Sequence, residues 1–235
     1  MTEAEWLASA KRNEFPESVE FHELLNWLCS HRMPTPRKLR LFATACCRRI
    51  WHLMLPCDRD CVLIAEKWAD ASATYREMRQ NIESAGRVPN ANPFAMHAAV
   101  AAAAGDWENV PDPAFYAAHH SANCASNAVT WGLPGGSASN VGVPSPSEAA
   151  TQAKILHELF GNPFRPVVFD PTWQTTTAVT IAHTMYDSRD FSPMPLLADA
   201  LQDAGCGNED ILNHCRSGGP HVRGCWVVDL ILGKE

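Results

Sequence analysis

The sequence has no long apolar run, no basic excess and no compact phosphate-binding motif. Each absence removes a class of function. The longest apolar stretch, around "AAVAAAAG", is too short and too rich in alanine to cross a bilayer. Lysine and arginine total 19 against 26 acids, a formal charge of −7, which repels a nucleic-acid backbone unless one face is locally basic. No Walker loop, Rossmann fingerprint or G-x-S-x-G elbow is present. The glycines of "GLPGGS" have no strand before them and no lysine after them. Tyrosine is scarce, three residues against eight tryptophans. The opening "MTEAEWLASAKRNE" mixes charges and has no hydrophobic stretch, so no secretory signal is expected. A cytoplasmic setting is expected, with thiols reduced. The nine cysteines are an odd number, so they cannot all pair within one chain.

What the chain does have is helical periodicity. Hydrophobic residues make up 46% of its 235 positions, enough for a substantial core. Thr2 with Glu5 forms a predicted capping box before "EAEWLASA". Phe21, Leu24, Leu25 and Leu28 recur at helical spacing after Ser18, a predicted cap. "TPRKLRLFATACCRRIWHLML" is the clearest helix. Thr35 caps it, Pro36 takes the first position, and Leu39, Phe42, Cys46, Ile50 and Leu53 draw one apolar stripe. Asp58 is then predicted to open a single long helix that ends at Gly86. An alanine-rich stretch and an Asp112-capped helix follow.

Residues 133–145 are a Gly/Pro/Ser-rich loop or linker. It separates a predicted N-terminal helical region, 1–132, from a C-terminal one, 146–235, unless the two form one continuous domain. In the C-terminal region "PSEAATQAKILHELFG" is a capped helix, and "VVF" with three nearby prolines suggests a short edge strand near 166–169. Further helices are predicted to begin at Asp170-Pro171, at Ser192 and at Asn208, with Gly205 and Gly233 as stops. The last element, "GCWVVDLILGKE", reads as helix or strand. The expected fold is all-α, an array of about ten short helices.

The densest chemistry is "HCRSGGPHVRGC". With Cys206 it spells C-x7-H-C-x5-H-x3-C, from Cys206, His214, Cys215, His221 and Cys225. Zinc takes four ligands of these types at short spacing on loops and helix ends. No CxxC knuckle is present, and the alternative reading is packed thiols and turn histidines. A third reading makes Cys225 a nucleophile, because a cysteine at a helix start beside Arg223 favours thiolate, with His221 as base. His120 and Cys124, four apart beside His119, could also chelate, but neither a third histidine nor a general-base glutamate follows. Cys57 and Cys61 flank a helix start and read as a packed corner. Arg37, Arg40 and Arg48, with Lys38 and Arg49 at the edge, form the candidate anion- or partner-binding face. Its alternative is a solvated face, or one paired with acids elsewhere.

The phrases "MTEAEWL", "RKLRLFATACCRRIWHLM", "GNPFRPVVFDPTW" and "LLADALQDAGCGNEDILNHCRSGGPHVRGCWVVDLILGKE" resemble a family of uncharacterised planctomycete proteins. The resemblance implies a helical protein and no particular reaction or cofactor. Its C-terminal phrase also resembles one appended to otherwise different proteins, which implies a portable docking or structural module. The expectation is an intracellular helical interaction or accessory module whose partner is another protein. The alternative is a zinc-binding protein whose C-terminal Cys/His site serves structure rather than catalysis. No residue is assigned a catalytic role.

Overall fold

The structure, a computed structural model, describes residues 1–13, 19–31, 33–85, 120–125 and 146–234. Ser18, Gly86, Asp112, His119 and the 133–145 loop lie outside them, as does the side chain of Phe21. Every regular element among the described residues is helical. None is long and apolar enough to cross a membrane. The chain divides into two compact units, 1–156 and 157–235.

The first unit begins with α1 (Glu3–Lys11), closed by the expected box: the Glu5 N–H donates to Thr2 Oγ1 and the Thr2 N–H to Glu5 Oε2. Helix α2 (Val19–Ser30) buries Leu24, Leu25 and Leu28, the predicted stripe. Trp6 of α1 is fully buried, 6.3 Å from the Trp27 ring of α2. Helix α3 (Pro36–Arg49) starts where predicted, with Thr35 Oγ1 accepting the Lys38 N–H. It is buried on more than one stripe: Leu41, Ala43, Thr44 and Cys47 are enclosed together with Leu39, Phe42 and Cys46.

The long helix expected after Asp58 is two helices. Helix α4 (Pro56–Ala69) begins two residues earlier, at the proline, and the Asp58 carboxylate accepts the Leu55 N–H. The chain then turns through Ala71, at φ 53°, before α5 (Tyr75–Ala85). The local chemistry explains the break. Thr74 and Glu77 form their own capping box, and a cap competes with continuing the helix. Helix α4 packs on both α3 and α5. Residues 120–125 are also helical.

The boundary between the units falls near the end of α6 (Pro146–Phe160), which stops at Gly161 with φ +61°. Residues 166–169 pair with no strand. They run as irregular backbone, with Val168 88% exposed, so the expected edge strand is absent among the described residues. The prolines explain this, since Pro163 and Pro166 each lack an amide N–H to donate. Asp170 caps only a 3-10 turn, and Thr175 caps α7 (Thr176–Ser188). Helix α8 (Met194–Asp203) has Pro193 at its cap position instead of Ser192, whose N–H donates to Asp190. Gly205, at φ +89°, lets the Cys206 N–H reach the Leu201 carbonyl and closes α8 as expected. Asn208 caps α9 (Glu209–Arg216). The last element is helix, α10 (Trp226–Leu232), ended by Gly233.

In this second unit α7 packs on α8 and α10, and α9 packs on α8 and α10. Their shared core includes Ala182, Met185, Leu197, Leu201, Ile211 and Val228. This arrangement sets the end of α6, the end of α9 and the start of α10 around one point.

Candidate metal centre

That point gathers Glu158, His214, His221 and Cys225, whose donor atoms all lie within 4.8 Å of one another. Glu158 comes from the last turn of α6, His214 from the last turn of α9, and Cys225 from the N-cap of α10. His221 alone sits on a loop, just after Gly218, Gly219 and Pro220. One carboxylate faces both rings. Glu158 Oε1 lies 3.0 Å from His221 Nδ1, and Oε2 lies 3.3 Å from His214 Nε2. His214 Nε2 is also 3.2 Å from Cys225 Sγ. Zinc bonds of about 2.0–2.3 Å at tetrahedral angles set neighbouring donors about 3.3–3.8 Å apart. The observed separations of 3.0–3.3 Å, which involve both carboxylate oxygens, are hydrogen-bond distances, and the four donors together lie within 4.8 Å. A buried group with these donors could hold a metal ion.

The surroundings fix the ligands in place. The His214 ring sits 5.2 Å from the Trp226 indole and 5.1 Å, edge-on, from the His221 ring. Gly161 leaves room for Trp226, because a Cβ there would come within 3.1 Å of the indole. His221 Nε2 lies 3.1 Å from the Ser217 carbonyl, so the nitrogen facing away from the centre has a backbone acceptor. Metal-binding histidines are commonly oriented in this way.

The electrostatics are those of a buried acid held by proton carriers. Burial raises the Glu158 carboxyl, but hydrogen bonds from His214 and His221, and their charge, outweigh it and bring it to about 2. Burial lowers His221, yet the Glu158 bond and charge raise it overall. Both nitrogens of His221 face acceptors, which favours the doubly protonated ring. Burial first, and the Glu158 charge second, push the Cys225 thiol up.

These facts decide between the earlier readings of the segment. A nucleophilic cysteine needs a lowered pKa and access. Cys225 is fully buried and its thiol is raised. Moreover, the expected base, His221, turns its two ring nitrogens to Glu158 and to the Ser217 carbonyl rather than to the thiol. The donor geometry therefore suits coordination, not nucleophilic attack. Of the five residues predicted from sequence, the structure brings three together, His214, His221 and Cys225. Cys206 and Cys215 lie buried in the neighbouring core and outside the four-donor group. Burial, with the Glu158 charge behind it, pushes the Cys215 thiol up to about 12.

Glu158 was the residue missed. It is far away in sequence, but it left a signal. It lies three positions beyond Ile155 on a helix whose Ile155, Leu156 and Leu159 are buried, so it falls on the apolar side of α6.

The other candidates resolve differently. His120 Nε2 lies 3.6 Å from Cys124 Sγ, and no third donor joins them among the described residues. Burial raises Cys124 to about 11 and Cys61, with Asp58 behind it, to about 12, as expected of packed thiols. The basic face is occupied from within its own unit. Arg37 pairs with Asp70 at 3.0 Å, and Arg48 forks onto Glu66. Arg40 lies 3.8 Å over the Trp68 ring, and Arg49 forks onto Glu148. No family model, no curated protein and no solved structure matches this chain.

Proposed function

We propose that residues 157–235 form a zinc-stapled helical module, with Glu158, His214, His221 and Cys225 as the four ligands. The observation that carries this reading is the convergence of those four donors within 4.8 Å in a buried position. The donor set, two imidazole nitrogens, a thiolate and a carboxylate, suits a borderline-soft ion and does not suit calcium or magnesium. Four protein ligands fill a tetrahedral shell and leave no position for a substrate, so the ion serves the fold. It ties the end of α6 to the end of α9 and the start of α10, both distant from it in sequence, and contributes its binding free energy to folding.

A stapled module without an open ligand position acts by presenting a surface. That supports the accessory or interaction role expected from sequence. The surface is not the arginine face, whose charges are held internally.

Elemental analysis of the purified protein tests the site. One zinc per chain is expected, with a lower melting temperature after chelation and recovery on adding zinc back. Protein that binds no zinc after refolding in a stoichiometric excess would remove this reading.

A further inference from the structure

We infer that residues 217–221 are the gate of this site: the ion enters and leaves by outward movement of that loop, which carries His221. The inference rests on the zinc reading above.

Glu158 and His214 stand on helices and Cys225 at the N-cap of α10, whereas His221 stands on a loop. Glu158 and Cys225 are at most 4% exposed, and the Trp226 indole closes one side against Gly161. His214 is held between that indole and the His221 ring. The helix ends and the indole belong to packed elements and do not open cheaply, whereas the His221 ring belongs to the loop.

The fourth side is different. Ser217, Gly218, Gly219 and Pro220 are all exposed. A Cβ built on Gly218 meets nothing within 4 Å, and one on Gly219 meets only the Ser217 hydroxyl at 3.6 Å. The loop is fastened near its start by the Ser217 N–H and hydroxyl, both donating to the His214 carbonyl. At its far end the His221 ring anchors it, on Glu158 and on the Ser217 carbonyl. A cleft of about 440 Å³ between the loop and Phe191, Met194 and Pro195 gives the loop space to move into. Two adjacent glycines before the ligand supply the hinge. Swinging out exposes one corner of the donor set and leaves the other three ligands in place.

The test is kinetic and uses the full chain. Zinc uptake and zinc loss to a chromogenic chelator are timed for wild type, for the double variant Gly218→Ala/Gly219→Ala, and for Gly207→Ala. Neither hinge glycine has a positive φ or a close neighbour, so alanine fits. Alanine narrows the open ensemble and favours the closed loop, with or without ion, by a factor of roughly two to five per site. Uptake and loss should therefore both slow about five- to twentyfold, while the zinc dissociation constant stays within about twofold. Gly207 is exposed in another loop of the same unit with nothing near it, and its variant should keep wild-type rates. Hydrogen exchange on the wild type gives a second reading: zinc should protect 217–221 more than any helix of the unit.

Unchanged rates in the double variant, or equal slowing in Gly207→Ala, would overturn the gate and leave the zinc site standing. A protein that takes up no zinc would overturn both. Protection spread evenly over the helices would place the opening elsewhere.

Discussion

The two units bury acids in opposite ways. In the first unit Glu66 and Glu148, 1% and 3% exposed, each meet an arginine fork, and Asp58 meets a backbone N–H. In the second, Glu158 at 4% exposure meets two histidines that also neighbour a thiol. A guanidinium keeps its proton across the whole working range, so its partner is locked in one state. Imidazole and thiol can give up protons and take a metal ion in exchange. The same burial problem is thus met by a permanent ion pair in one unit and by groups that can exchange protons in the other.

Removing one partner from each should show the difference most strongly. Arg48→Met leaves Glu66 buried without its fork, a loss of about 3–5 kcal/mol. Added zinc should not restore that loss: the difference from wild type should be the same with and without zinc. Glu158→Gln removes a ligand and the charge that holds both rings. The variant should lose stoichiometric zinc under chelator competition, and it should melt below chelated wild type, which keeps the bonds from Glu158 to both histidines. Melts with and without zinc check both. If Arg48→Met were rescued by zinc, or Glu158→Gln kept its zinc, the contrast would fail.

The contrast should also appear against pH. Without metal, Glu158 falls from its ordinary 4.5 to about 2, so its contribution is present above 4.5 and lost as pH drops toward 2. His221 is raised above its ordinary 6.5, so its contribution is complete below 6.5 and lost as pH climbs through the raised value. Chelated protein should therefore melt lower at pH 8 than at pH 6. Zinc-loaded protein should not, because binding to deprotonated ligands strengthens with pH. Arginine pairs of the first unit contribute no such alkaline loss. A chelated protein that is more stable at pH 8 than at pH 6 would contradict the assignment of His221.

A smaller effect probes how the centre is walled. Gly161→Ala forces an alanine to φ +61° and sets its Cβ 3.1 Å from the Trp226 ring. The left-handed backbone alone costs about 1–2 kcal/mol, and displacing the indole disturbs its contact with His214. Differential scanning calorimetry of the zinc-loaded protein should show the loss, together with faster release of zinc to a chelator.

How much of this could be read in advance depends on range. Local rules worked at several places where the partner was a few residues away: the Thr2–Glu5 box, the Thr35 and Asn208 caps, and the Gly205 and Gly233 stops all hold, whereas Ser192 does not cap its helix and Asp170 caps only a 3-10 turn. They failed where two local signals competed. A helical pattern ran through Asp70 to Thr74, but the Thr74–Glu77 box started a new helix. In 163–169, β-prone valines stood against prolines, and no strand formed among the described residues. The site divided along the same line. His214, His221 and Cys225 are close in sequence and were found together. Cys206 and Cys215 were drawn in by spacing, although the core claims them. Glu158 required knowing that the end of α6 meets the start of α10, which no spacing reveals.

The two units share the rule that begins their helices, and this gives the finest test. Thr35 Oγ1 takes the Lys38 N–H at 3.2 Å in one unit, and Asn208 Oδ1 takes the Ile211 N–H at 3.1 Å in the other. Replacing either by alanine should cost about 1 kcal/mol, measured by denaturant titration. Ser192→Ala should fall within about 0.5 kcal/mol of wild type, since Pro193 and not Ser192 holds the cap position of α8. Each cap is a local bond, so the Asn208 cost should persist after chelation even though α9 carries His214. A cost for Asn208→Ala that vanished without zinc would mean α9 is held by the metal rather than by its own cap, and the line between local rule and long-range centre would have to be redrawn.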